Sequence, residues 1–187
     1  MALAVRPPHE HSHLRPLTYD EVRQFPDDGY RYELVDGELL VTPSPNRAHQ
    51  RAVTRLTMLL GAAAPGHLEV IVGPVDWYVR STTCFVPDLV VVGRDARPDP
   101  QRVLDPPVLA AEVLSPSTRH RDLGLKLRAY EDAGLAWYWV VDPLEPRLVV
   151  HELIDGRFAE RASVAGGERY AATAPFPVEV RPGDLVR

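Results

Sequence analysis

Three segments of this chain, "CFVPDLVVVG" (84–93), "PVLAAEVLS" (107–115) and "LAWYWVVDP" (135–143), are apolar almost without interruption. A strand with one wet face alternates apolar and polar residues, whereas a short continuous apolar run is a strand covered on both faces. Strands of this kind need a layer of structure on either side. The intervening sequence supplies candidates. In "TPSPNRAHQRAVTRLTMLLGAAAPG" (42–66), Ala52, Val53, Leu56, Leu59, Leu60 and Ala63 form an apolar stripe at helical spacing, with Ser44 as cap and Pro45 at the first helical position. "SPSTRHRDLGLKLRAYEDAG" (115–134) reads as a second helix, capped by Ser115 or Ser117 and stopped at Gly134. With "LEVIVGPVDWYVR" (68–80) as a further strand, the middle of the chain runs helix, strand, strand, strand, helix, strand, which predicts a layered α/β domain.

The flanks are simpler. "LTYDEVRQFP" (17–26) is a short helix with Thr18 as N-cap, and "YRYELVDGELLV" (30–41) is a hairpin about Asp36-Gly37. A second hairpin is expected about Asp155-Gly156. Residues 1–16, with His9, His11 and His13, read as a flexible leader, and 17–187 as a single domain.

Composition narrows the function. A net charge of −5 does not advertise a nucleic-acid binder, so any such contact must rest on local clusters. Two exist: Arg47, His49, Arg51 and Arg55, and then Arg119, His120, Arg121, Lys126 and Arg128. Their bland reading is a solvated helix face. No apolar run is long enough to span a membrane, no signal-peptide order opens the chain, and Cys84 is alone. The expectation is a cytoplasmic protein.

Two acids stand where acids are costly. With alternating strand faces, Asp88 shares a side with Val86, Val90 and Val92, and Glu112 shares one with Val108, Ala110 and Leu114. An unpaired carboxylate there costs several kcal/mol, so a cation, backbone donors or protonation must offset it. Singly, each has a plain explanation: Asp88 follows Pro87 at a strand entrance, and Glu112 has many arginines to pair with. Together, on adjacent central strands, they can hold a hard cation through oxygen ligands.

The third member is a lysine. The 21 basic side chains comprise 20 arginines and Lys126 alone. Lysine is a compact ammonium whose role a planar guanidinium does not fill. Asp122, four residues earlier, offers it an ordinary helix-surface pair. The same helix follows directly on the Glu112 strand, which can return the ammonium over the two acids. A cation and an ammonium around a phosphate are equipment for phosphodiester hydrolysis.

"YELVDGEL", "HQRAV", "VPDLVVV", "EVLSPST" and "RDLGLKLRAYEDAGLAWYWVVDP" resemble, in order, the bacterial putative restriction-endonuclease family (Uma-type) of the PD-(D/E)XK nuclease superfamily. The resemblance spans about 30–153. It implies a restriction-endonuclease-like αβββαβ core, a central mixed sheet flanked by helices, with N- and C-terminal β-hairpins added. It implies a metal-dependent nuclease acting on DNA, with Asp88 and Glu112 as ligands to Mg²⁺ or Mn²⁺. The family pattern wants lysine two residues after the glutamate, where this chain has Leu114; Lys126 is then the displaced catalytic lysine. Glu33 and His49 are further candidates, and Asp76 and Trp77 weaker site-lining ones. Nucleases that cut both strands often dimerise, so a homodimer is also expected. The competing expectation is a catalytically inactive nucleic-acid- or protein-binding module on the same fold. A carboxylate-pair glycosidase ranks behind both, since it leaves Lys126 without a role.

Overall fold

The computed structural model describes residues 15–97, 99–116 and 119–187. The flexible-leader reading and the Ser117 cap therefore lie outside the described residues, apart from the leader's last two positions. After α1 (Tyr19–Val22), capped by Thr18, the hairpin β1 (Arg31–Val35) and β2 (Glu38–Thr42) turns at Asp36-Gly37, both at positive φ (52° and 83°). That backbone matches strand twist and favours the Asp-Gly pair.

Two strand readings need correction. "LEVIVGPVDWYVR" is not one strand but two, β3 (Leu68–Val72) and β4 (Asp76–Arg80), which belong to different sheets. "CFVPDLVVVG" likewise divides into β5 (Thr83–Phe85) and β6 (Leu89–Gly93). The physical reason is shared. Pro74 and Pro87 cannot donate to a ladder, so pairing stops at each. Gly73 and Pro87-Asp88 then cross: Gly73 N donates to Asp88 O at 2.8 Å, and a Cβ on Gly73 would lie 2.4 Å from Pro87 O.

The resulting first sheet has the order β2-β1-β5-β4-β7, where β7 is Arg102–Val103. The second is β11-β10-β9-β8-β6-β3, with β8 (Leu109–Val113), β9 (Trp137–Asp142), β10 (Arg147–Ile154) and β11 (Arg157–Ala165). The sheets are mixed: β8 and β9 are parallel, as are β4 and β7, and the other ladders antiparallel. A small hairpin, β12 (Tyr170–Ala172) with β13 (Val178–Val180), and α4 (Pro182–Val186) close the chain.

The second sheet is covered on both faces, as its apolar strands require. Leu89, Val91, Leu109 and Ala111 point at α2 (Arg47–Ala63), whose Ala52, Val53, Leu56 and Leu60 meet them. Each such leucine contributes about 1.5–3 kcal/mol by leaving water. Val90, Val92, Ala110 and Leu114 point the other way, onto Trp77 and Phe85 of the first sheet and Tyr130 of α3 (Lys126–Asp132). The α2 start differs from expectation. Asn46, not Ser44, is the cap, with its side chain accepting from His49 N at 3.0 Å.

Candidate active site

In the β6–β8 ladder Leu89 lies opposite Ala111 and Val90 opposite Ala110, so the register continued by one residue brings Asp88 opposite Glu112. Both acids fall on the face turned toward the first sheet and α3. Asp88 is 5% exposed and Glu112 2%. They line a cavity of about 170 Å³ together with Arg31, His49, Asp122 and Lys126.

Asp88 is compensated by donors. Its Oδ1 takes Arg31 Nη1 at 2.8 Å; its Oδ2 lies 3.0 Å from His49 Nε2 and accepts Val113 N at 2.8 Å. Burial penalises the carboxylate, but His49 and Arg31 outweigh that penalty and hold its pKa well below the ordinary range. His49 Nδ1 is 3.2 Å from Gln50 Oε1, so the ring bridges Asp88 to the surface of α2.

Glu112 is arranged differently. Its Oε1 accepts Lys126 Nζ at 2.8 Å and the Tyr130 hydroxyl at 2.6 Å, while Oε2 has no hydrogen-bond partner among the described residues. Burial pushes Glu112 up to about 8, against the pull of the ammonium. Burial likewise disfavours the Lys126 ammonium, yet Glu112, Glu33 and Asp122 together raise its pKa above the ordinary lysine value. Lys126 Nζ is 2.9 Å from Glu33 Oε1 and 3.9 Å from Asp122 Oδ1. The Asp122–Lys126 pair is thus a buried contact rather than the exposed helix pair of the bland reading. Glu33 also accepts Val86 N at 2.8 Å, which ties β1 to the loop before Asp88.

The helix carrying Lys126 is not regular. Residues Arg121–Leu125 form a π-helical segment leading into α3. Asp122 and Lys126, four residues apart, share its inward face, each nearly fully buried. Single π-turns within helices recur where a side chain has to be re-aimed. Leu114, where the family pattern has lysine, is packed in the apolar cluster with Val90 and Tyr138.

The structure therefore brings Asp88, Glu112, Lys126 and His49 around one cavity, with Glu33 outside its lining and joined to it through Lys126. Trp77 is not there: it is buried among Phe85 and Tyr130, its ring centroid 5.2 and 5.5 Å from theirs. Asp76 accepts the Tyr19 hydroxyl at 2.7 Å and borders a neighbouring cleft instead. Sequence reasoning missed Arg31 and Tyr130. Arg31 carried a signal, since an arginine two residues before Glu33 shares its strand face. Tyr130 also did, four residues beyond Lys126 on the same helix.

Among the described residues no three His, Cys, Asp or Glu side chains form a ready-made metal cage. The two facing carboxylates are nonetheless a hard-oxygen set of the kind that suits Mg²⁺. That ion keeps several waters and commonly takes one or two carboxylates, with substrate phosphate completing its shell.

Of the basic clusters, most arginines have internal duties. Arg51 donates to Val186 O and Arg55 to Asp184 O, strapping α4 onto α2; Arg119 pairs with Asp142, and Arg121 donates to Thr42 Oγ1.

Fold and site together define a restriction-endonuclease-like α/β protein. A family model described as Uma2, "Putative restriction endonuclease", matches residues 19–183, and the chain belongs to this family. A crystal structure titled as a putative nuclease belonging to DUF820, from Anabaena variabilis, superposes with a TM-score of 0.70 at 18% identity. The match covers 91% of this chain and 98% of that one. No curated protein matches the sequence.

Proposed function

We propose that this protein is a metal-dependent nuclease that hydrolyses phosphodiester bonds in DNA. One observation carries the reading: a buried ammonium, Lys126 Nζ, lies 2.8 Å from Glu112 in a cavity shared with Asp88, the register partner of Glu112. Asp88 and Glu112 would hold Mg²⁺ or Mn²⁺. Bound there, the ion supplies Lewis acidity toward a phosphoryl oxygen and lowers the pKa of a water. Lys126 positions the attacking water or offsets charge developing on the phosphate, and its fixed place among three carboxylates removes reorganisation at that moment. His49 and Arg31 hold the Asp88 carboxylate ionised and oriented. Glu33 anchors the Lys126 ammonium, and the Tyr130 hydroxyl orients Glu112.

The test is calorimetric titration of Mn²⁺ into the wild type, Asp88→Asn and Glu112→Gln, followed by DNA cleavage assays on the same samples. Saturable binding lost in both variants, with cleavage lost alongside, is the expected result. A second reading is favoured by one observation: Asp88 already has three donors and Lys126 three carboxylate neighbours, as a purely structural ion cluster would. On that reading the protein is a non-catalytic binding module, and wild type neither binds Mn²⁺ with DNA present nor cuts.

A further inference from the structure

Beside the cavity lies a second cleft of about 520 Å³ that shares Arg31, Pro43, Ser44, Pro45 and Asp88 with it. We propose that this cleft receives one unpaired nucleobase of the substrate strand, stacked on Tyr30, next to the phosphate in the cavity. The proposal rests on the nuclease reading for the neighbouring phosphate, and on the cleft's own residues for the base.

Size separates the two spaces. The cavity holds no more than a few small groups, whereas the cleft falls within the roughly 300–1,000 Å³ of small-ligand sites. Tyr30 is the telling residue. It is 53% exposed, lines the cleft, and its ring has no aromatic neighbour or hydroxyl partner among the described residues. The other tyrosines there are engaged: Tyr19 donates to Asp76, and Tyr32 donates to Asp28 at 2.7 Å with its ring edge-on to Phe25. The Tyr30 backbone is fixed by Gly29 at φ +83° and by its own N–H donating to Asp28 Oδ1 at 3.2 Å. Gly29 is the residue type that turn requires.

Charge argues for a base rather than a phosphate. The lining carries Arg23 and Arg31 against Asp27, Asp76 and Asp88, which gives an anion no net welcome. A flat, neutral ligand with polar edges suits it better, with Val72 and Pro74 for its faces and Ser44, Gln50 and Thr54 for its edges. Connectivity fits as well. Arg31, whose guanidinium reaches Asp88, directly follows Tyr30, so ring and cavity are one residue apart, as a base and its own phosphate are joined through one sugar. A base stacked within a duplex does not reach such a ring, so the occupant is unpaired.

The experiment uses a short single-stranded DNA carrying 2-aminopurine at successive positions, bound in EDTA to the wild type, Tyr30→Trp and Tyr30→Ala. Wild type and Tyr30→Trp quench the probe at one position. Tyr30→Ala binds about tenfold or more weakly and loses the quench, with an unchanged circular dichroism spectrum. Wild-type affinity and quenching in Tyr30→Ala, or no quenching by the wild type at any position, overturn the proposal. Because quenching is read in EDTA and cleavage separately with Mn²⁺, the two failures separate. A protein that quenches but never cuts with Mn²⁺ keeps the cleft and loses the nuclease reading, and one that cuts with Tyr30→Ala indistinguishable from wild type does the reverse.

Discussion

At the scale of single residues, Lys126 is where chemistry and stability meet. It is 3% exposed between Glu33, Glu112 and Asp122, so removing its charge strands buried carboxylates. Lys126→Met is expected to cost about 3–5 kcal/mol, read as a lowered urea midpoint. Lys126→Arg keeps the charge and costs less, yet moves the donors off the ammonium's position; cleavage is expected to fall by about 100-fold or more. If Lys126→Arg cuts at the wild-type rate, lysine has no special part in the reaction.

Glu112 adds a pH prediction with a definite sign. Its folded pKa, near 8, lies above its ordinary value of 4.5, so the folded state holds the proton more tightly than the unfolded one. Its contribution to stability is full below about 4.5 and is lost as pH rises through 8. Asp88, whose pKa is lowered, contributes fully above its ordinary 3.8 and loses that contribution on acidification. In EDTA, urea midpoints are therefore expected to fall between pH 5 and 9, and Glu112→Gln to flatten that slope. An unchanged slope in the variant assigns it to other groups.

Elements explain both the reach and the limits of the sequence reading. The helix–strand order, the two central strands and both Asp-Gly hairpins were legible because each follows from a local rule: apolar runs, an apolar stripe, a turn pair. Asp88 and Glu112 stood out for the same reason, as acids within apolar faces. What was not legible depends on contacts distant in sequence. Pro74 and Pro87 divide two apparent strands between sheets, but only the Gly73–Pro87 crossing shows that both breaks serve one corner. The π-helical segment leaves no mark in "HRDLGLKLRAY" beyond Gly124; that Asp122 and Lys126 share a face follows from their four-residue spacing, but that this face is buried against Glu33 and Glu112 does not.

That segment makes a paired prediction. A Cβ on Gly124 meets nothing within 4 Å, so Gly124→Ala is expected to stabilise the fold by about 0.5–1 kcal/mol while leaving activity intact. Deleting Gly124 takes a residue out of the wide turn and draws Lys126 back along the helix axis by about 1.5 Å, off its contacts with Glu33 and Glu112. The expected outcome is retained helical circular dichroism with cleavage lost and a lowered melting temperature. If the deletion variant cuts normally, the π-turn does not aim Lys126.

At the scale of the whole molecule, the proposed function asks a chain of net charge −5 to approach a polyanion. Most arginines of its two basic clusters are occupied internally: Arg51 and Arg55 hold α4, Arg119 holds Asp142, and Arg121 holds the end of β2. Arg47 and Arg128 remain exposed without a hydrogen-bond or ion-pair partner among the described residues, and His120 with Arg128 borders one shallow concavity on the outer side of the π-turn. Few phosphates can then be neutralised by the protein. Taking two or three, the dependence of log K on log salt is expected to have a slope of about −2 to −3, measured by anisotropy with duplex DNA in EDTA. Arg47→Ala and Arg128→Ala should each shallow it by about one, whereas Arg55→Ala should lower the melting temperature and leave the slope alone. A wild-type slope near −6 would instead mean that the strapped arginines let go of their carbonyls to meet DNA. In that case α4 would have to loosen on binding, and its protection from hydrogen exchange would drop in the complex.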